Sequence, residues 1–254
     1  MLIRIENIKK SFKIHDSLFF KQAQSVLKGV SFDIFQGECL GIVGESGSGK
    51  STLGKILLGV EKPDSGAVIF SDEMMALPKF KAVGVVFQDY NTSVNPRLTV
   101  KQIITEPLQR TDLSESQKHH LVETLLQEVG LSASMATRFP HQLSGGQLQR
   151  ICIARAIAPN PKFILFDEAV SSLDVSIQVQ VLDLLLEIKR RRNLSYLFIT
   201  HDLAVATYVC DRLIFFNDGR VVEEISDLSK MNQVKHEYTK QLLDAAGYLE
   251  LPLE

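Results

Sequence analysis

Residues 44–52 read Gly44-Glu45-Ser46-Gly47-Ser48-Gly49-Lys50-Ser51-Thr52, and the first eight match G-x-x-x-x-G-K-[ST]. They follow Cys39–Val43, a continuous apolar run of the kind expected for a strand buried on both faces of a parallel sheet. They open residues 50–58, which suit a helix. At average composition a chance match in a chain this long has a probability on the order of one in a hundred. The strand before and the helix after make chance a poorer explanation still. Glycines let backbone N–H groups turn inward around phosphate oxygens without a Cβ in the way, and a helix N-terminus adds a favourable dipole. Lys50 is expected to reach the β- and γ-phosphates, and the Ser51 hydroxyl to ligate Mg²⁺. The loop alone implies a bound nucleotide and nothing finer, since kinases, GTPases and motors share it.

Outward from this loop, strands and helices alternate. Residues 2–8 alternate apolar and polar as a half-buried strand does, 13–25 break that pattern and read as a hairpin loop, and 26–34 resume strand character. Phe19 and Phe20 suit either a contact patch or packing against the base of that loop. Pro63-Asp64-Ser65-Gly66 reads as a turn, and Val83–Phe87 as another buried strand. From about residue 91 to 159 strands vanish. There Leu121, Val122, Leu125, Leu126 and Val129 form one apolar stripe at helical spacing. Alternation returns with strands at 163–166, 196–199, 213–216 and 220–222, and with helices at 175–191 and after His201. The expected architecture is a sheet-forming chain with a helical block inserted midway, its ligands at the carboxyl ends of parallel strands.

Bulk properties narrow the function. The 254 residues are 45% hydrophobic and 23% charged, ordinary for a globular protein. The formal charge of -2 gives no basic footprint, so no nucleic-acid partner is expected. Cys39, Cys152 and Cys210 lie far apart in apolar stretches and match no metal or disulfide spacing, which reads as buried reduced thiols. Apolar runs have strand length, far short of the roughly 18–20 residues a bilayer needs. The N-terminus alternates and lacks the apolar stretch of a signal peptide. The expectation is a cytoplasmic chain that meets a membrane through a partner.

Residues 163–168, Phe163-Ile164-Leu165-Phe166-Asp167-Glu168, end a buried strand in two carboxylates. Unpaired charge at such a tip is costly. Mg²⁺ coordinated through Asp167 supplies one reason for it, and Glu168, projecting differently, can polarise a water for in-line attack on a γ-phosphate. Capping of the following helix is the plainer alternative. Gln88 and His201 follow strands in the same way, so Lys50, Gln88, Glu168 and His201 are expected at one sheet edge.

Leu143-Ser144-Gly145-Gly146-Gln147 opens a helix whose inner side carries Leu148, Ile151 and Ala154. Ser144 suits an N-cap, and the paired glycines expose N–H groups that can hold an anion. In order and spacing these motifs resemble the ABC ATPase family over nearly the whole chain. The set comprises the phosphate loop, the Q-loop at Gln88, the LSGGQ signature at 143–147, the acidic strand, the D-loop Ser172-Leu173-Asp174 and the switch histidine His201. The resemblance implies a P-loop NTPase (RecA-like) α/β core with a mainly parallel sheet, an N-terminal antiparallel β region and an inserted all-helical subdomain. It implies one domain over 1–254: a core lobe at 1–90 and 160–225, a signature subdomain at 91–159 and a C-terminal helical extension at 226–254. Its cofactors are ATP and Mg²⁺, the metal held by Ser51, Gln88 and Asp167. Phe12 matches the aromatic that stacks on adenine, where many members have tyrosine. Two such domains pair head to tail in the family, so Ser144, Gly145, Gly146 and Gln147, with Asp174, are assigned to nucleotide shared with a second ATPase.

Asn95-Pro96-Arg97-Leu98-Thr99-Val100 and His236-Glu237-Tyr238-Thr239-Lys240-Gln241-Leu242-Leu243 are similar to segments of oligopeptide, dipeptide and nickel importer ATPases, with Glu237 where proline is usual. By this resemblance the chain pairs with a second ATPase, a heterodimer being favoured. It works with two permease subunits, docks a short cytoplasmic helix of a permease near Gln88 and residues 91–107, and serves an extracytoplasmic binding protein indirectly. It would sit peripherally on the cytoplasmic face of the cell membrane. An exporter ATPase, a non-transport ABC protein acting on nucleic acid or ribosomes, and a nucleotide-binding regulator are the competing readings.

Overall fold

The computed structural model describes residues 1–17, 20–90 and 92–248. In chain order it forms β1 (Ile3–Ser17), β2 (Phe20–Ile34), β3 (Cys39–Val43), α1 (Lys50–Leu57), β4 (Ser65–Phe70), α2 (Asp72–Met75), α3 (Lys79–Ala82) and β5 (Val83–Phe87). Helices α4 (Val100–Thr105), α5 (Glu115–Glu128) and α6 (Gly145–Ile157) follow, with no strand among the described residues between β5 and the next. Then come β6 (Phe163–Asp167), α7 (Val175–Arg192), β7 (Ser195–Thr200), α8 (Leu203–Val209), β8 (Arg212–Asn217), β9 (Arg220–Ile225) and α9 (Glu237–Ala245). The chain divides into two compact units, Met1–Met74 with Leu197–Glu254, and Met75–Tyr196.

In the first unit β1 pairs antiparallel with both β2 and β4. Ile3 and Ile5 are buried while Arg4 and Glu6 face solvent. The register then slips between Ile5 and Ile8, where Asn7 adopts a φ of 47° and its N–H donates to Ser31 Oγ at 2.8 Å. This bulge shifts the apolar face by one residue, so that Ile8 is buried. The loop expected at 13–25 is corrected here: β1 runs on to Ser17 and β2 begins at Phe20, with Phe12 opposite Gln24 and Lys13 opposite Ala23. An antiparallel ladder is held by backbone hydrogen bonds and continues without an apolar face, so lost alternation did not end the strands. Phe19 lies outside the described residues. Ser65 and Gly66, read as a turn, already belong to β4.

Every residue of β3 is buried, and β3 pairs in parallel with β8, Val43 opposite Phe215. β7 is its neighbour on the other side, and β9 closes this region antiparallel to β8. Buried Arg212, at the start of β8, donates to Glu38 Oε1 at 2.8 Å, Glu224 Oε1 at 2.6 Å and the Asp33 carbonyl at 2.6 Å. Burial alone would lower its pKa, but the two carboxylates outweigh that and hold the guanidinium above its ordinary value. Cys39 and Cys210 are buried, 3.6 Å apart at sulfur and not joined in a disulfide.

In the second unit β5 and β6 pair in parallel, with Phe87 opposite Asp167. Three helices start on capping boxes, Thr99 with Gln102, Ser114 with Gln117 and Ser144 with Gln147, which satisfy backbone N–H groups at each start. The stripe on α5 is buried at Val122, Leu125 and Leu126, with Val129 just beyond; Leu121 sits at its edge, partly exposed. Arg192 ends α7 in a bidentate pair with Glu128, both contacts at 2.6 Å. Among the described residues no helix is long and apolar enough to cross a membrane.

Candidate active site

The phosphate loop lies in the first unit, between β3 and α1. A Cβ on Gly44 would sit 2.0 Å from the Phe216 carbonyl oxygen, so only glycine lets β3 leave its neighbour here. Gly49 takes a φ of 108° and faces the Val26 carbonyl, where a Cβ would come within 2.9 Å. The turn between β8 and β9 braces the loop, Gly219 N–H donating to the Ser48 carbonyl at 3.0 Å. Lys50 is only 3% exposed, and its Nζ donates to the carbonyls of Gly44 and Glu45, each at 2.7 Å. The loop is therefore wrapped around its own ammonium. Helix α1 starts with no side-chain cap hydrogen bond and no acidic residue in its first turn, which leaves its N-terminus suited to an anion. Ser46, Gly47 and Ser51 are exposed, Thr52 partly so.

Two further expected residues belong to this unit. Phe12 on β1 is 40% exposed, with Lys10 Nζ 5.2 Å from its ring centroid. Lys10 is itself held by Glu61 at 2.6 Å and Asp64 at 3.6 Å. Exposed His201 occupies the turn between β7 and α8. That turn is fixed by Asp202, whose Oδ1 accepts from Ala204 N at 2.9 Å and Val205 N at 3.2 Å.

The second unit holds Gln88, Asp167, Glu168, Asp174 and the signature. Because Phe87 stands opposite Asp167, the next residues, Gln88 and Glu168, leave adjacent strand tips side by side. Glu168 has a φ of 50°, where the other described non-glycine residues with positive φ are Asn or Asp. Such a conformation costs about 1–2 kcal/mol in a residue of this kind. Ser171 closes the turn, its N–H and Oγ donating to the Glu168 carbonyl at 3.2 and 2.9 Å, and Gln88 Nε2 lies 3.4 Å from the same Oγ. The structure thus brings Gln88 and the Glu168 turn together. Asp174 caps α7: hydrogen bonds from Ser176 Oγ at 2.8 Å and Ile177 N at 3.0 Å hold its carboxyl below the usual range.

In the signature, Ser144 and Gln147 are engaged with each other through the capping box, Gln147 Oε1 accepting from Ser144 N at 3.0 Å. The paired glycines are small for a packing reason as well. A Cβ on Gly145 would meet Tyr90 Oη at 2.6 Å, and one on Gly146 would meet Ile177 Cγ2 at 2.8 Å. About one turn into α6, Gln149 is completely buried, its Nε2 donating to the Ala169 carbonyl at 2.6 Å. Sequence reasoning gave no site role to Gln149, Tyr90 or Tyr238, the last read only as part of an importer-like segment. A glutamine among the apolar residues of α6 was the available signal for the first. A cleft of about 340 Å³ in this unit is lined by Val83, Val85, Phe87, Pro107 and Arg155 among others, with Arg155 donating to the Ser93 carbonyl at 2.5 Å.

A phosphate loop closing a buried strand, with a carboxylate pair at another strand tip, defines a nucleotide hydrolase of the phosphate-loop class. Residues 27–171 match the family model described as ABC transporter. The chain is 45% identical to the metal-staphylopine import system ATP-binding protein CntF of Staphylococcus aureus (strain NCTC 8325 / PS 47), covering 96% of this chain and 98% of that one. It is 41% identical to the oligopeptide transport ATP-binding protein AppF of Bacillus subtilis (strain 168), over 96% of this chain and 78% of that one. Among solved structures, the dimeric post-hydrolysis state of the ATP-binding cassette MJ0796, bound to ADP and Pi, aligns with a TM-score of 0.75 and 31% identity, covering 88% of this chain and 97% of that chain. The chain belongs to the ABC transporter family and is an ATP-binding, ATP-hydrolysing cassette of that family.

Proposed function

We propose that the chain is the ATPase subunit of an importer that energises uptake of oligopeptides or dipeptides, or of nickel or a related metal chelate, through separate permease subunits. The observation that carries this reading is its likeness, over almost the full length of both chains, to an import-system ATP-binding protein. In this reading residues 44–52 wrap the triphosphate, Lys50 moves its charge from loop carbonyls to phosphate, and the exposed ring of Phe12 stacks on adenine. Mg²⁺ would be held by the Ser51 hydroxyl, Gln88 and the Asp167 carboxylate, and would supply charge that neutralises the phosphates. Among the described residues no three His, Cys, Asp or Glu side chains form a metal cluster of their own. That donor set suits an ion that keeps water and arrives with phosphate oxygens.

Glu168 polarises the attacking water, while Gln88 and His201 orient it and the γ-phosphate. Ser144, Gly145, Gly146, Gln147 and Asp174 serve nucleotide held by a second cassette, so turnover needs a dimer, here a heterodimer. The apolar cleft around Val83, Phe87 and Pro107 takes a short cytoplasmic helix of a permease, which keeps the chain at the cytoplasmic face of the membrane. An extracytoplasmic binding protein delivers the cargo, and no nucleic acid is involved. The test combines two variants with cargo uptake. Lys50→Ala is expected to lose ATP binding. Glu168→Gln is expected to keep binding, stop hydrolysis and accumulate an ATP-bound dimer in light scattering. Wild-type turnover in Glu168→Gln would refute the base assignment. Cells expressing that variant with its permeases are expected to lose uptake of labelled peptide or labelled metal chelate, and undiminished uptake of both would refute the importer reading.

A further inference from the structure

The exposed arc of the phosphate loop, Glu45 to Gly47, makes contact with the far end of the chain. Glu45 N–H donates to Tyr238 Oη at 3.0 Å, across 193 positions of sequence. The same residue's carbonyl accepts from Lys50 Nζ at 2.7 Å. Glu45 is therefore gripped on both sides, by the loop's lysine and by a tyrosine of α9.

Tyr238 is itself held firmly. The Glu223 carboxylate on β9 accepts from Lys235 N at 2.6 Å and His236 N at 3.2 Å, which fixes the entry to α9. His236 caps the helix, its Nδ1 accepting from Tyr238 N at 3.2 Å. Thr239 and Leu243 are fully buried and seat the helix on the first unit. The phenol is an uncharged hydroxyl at neutral pH, and burial pushes its pKa higher still.

A loop that recognises an anion through backbone N–H groups gains affinity when those groups are already in place, because less freedom is lost on binding. The phosphate loop contains glycines at φ 81° and 108°, positions that allow many alternatives. We infer that Tyr238 is a positioning residue of the nucleotide site: its hydroxyl fixes the Glu45 peptide and so presets the mouth of the phosphate loop, making α9 part of the nucleotide-binding apparatus. This rests on reading residues 44–52 as the nucleotide cradle.

Tyr238→Phe removes the hydroxyl and keeps the ring. In the full chain it is expected to weaken ATP binding, measured by titration calorimetry, about five- to tenfold. The KM for ATP should rise alike, with kcat within about twofold and thermal stability nearly unchanged. Tyr248→Phe, which breaks the 2.8 Å contact between Tyr248 Oη and Thr207 Oγ1 at the other end of α9, serves as the control and should leave ATP affinity unchanged. Wild-type affinity in Tyr238→Phe, with Lys50→Ala losing binding, would overturn the inference alone. Equal losses in the two tyrosine variants would overturn it too, since a general loosening of the C-terminal segment would then be the cause. Undiminished ATP binding in Lys50→Ala would instead remove the reading of the cradle.

Discussion

Replacing Gln149 by leucine separates two roles that one buried amide plays. Its Nε2 makes a 2.6 Å bond to the Ala169 carbonyl, and both residues are fully buried. Removing the donor leaves that carbonyl without this partner, at about 1–3 kcal/mol. The same change removes Oε1, which has no hydrogen-bond partner among the described residues and whose burial therefore works against the fold by about 1–3 kcal/mol. Leucine nearly preserves the volume, so the opposing contributions leave a net loss of about 1 kcal/mol or less. For a chain of this size that is a fall of about 2–4 °C in Tm. Gln149→Ala adds a cavity and is expected to cost about 2–5 kcal/mol. Function should respond differently, because Ala169 follows Glu168 directly and the glutamine fixes that backbone from the signature helix. Gln149→Leu is expected to lower kcat about tenfold or more with little change in KM for ATP. Phosphate-release kinetics and differential scanning calorimetry on both variants make the test. Wild-type kcat in Gln149→Leu, or a Tm loss as large as in Gln149→Ala, would refute the reasoning.

Gly44→Ala should cost about 3 kcal/mol or more in chemical denaturation, since its Cβ would lie 2.0 Å from the backbone oxygen of Phe216 and could be relieved only by parting β3 from β8. Gly41→Ala, whose Cβ would meet the Leu213 and Cys210 side chains, should cost about 1–2 kcal/mol, and the reverse order would contradict the structure. The Lys10–Glu61 pair gives a pH signature. A hydrogen bond from Lys10 holds the Glu61 carboxyl below its ordinary pKa, so its contribution is full above the normal carboxylate range and fades as pH falls through the folded value. The Tm difference between wild type and Glu61→Gln should be constant near neutrality and shrink in acid; a difference unchanged at about pH 3 would rule out this ionic origin.

The parts of the site that were legible in the sequence are contiguous ones. Residues 44–52 and 163–168 each carry a recognisable pattern within a few positions, so their neighbours suffice to propose them, whereas 143–147 reads locally as a capped helix start and takes its assignment from the family resemblance. The antiparallel start of the chain was legible except where a physical cue failed. The bulge at Asn7 shifted the apolar face, and residues 13–25 kept a ladder that side-chain alternation does not report. The Glu168 turn was hidden because glutamate is a poor choice for positive φ, and local preference argues against the conformation it adopts. Tyr238 was hidden for a different reason: its partner is the N–H of Glu45, and backbone groups leave no mark in a sequence.

The strained backbone at Glu168 has an evolutionary side. Asparagine or glycine would relax that turn, by about 1 kcal/mol on conformational grounds, while discarding the carboxylate. Selection for robustness alone therefore pulls this position away from glutamate. On the base assignment proposed for Glu168, a duplicated gene freed from its enzymatic duty would drift toward a sturdier, silent cassette, and that drift would leave no trace of misfolding to betray it.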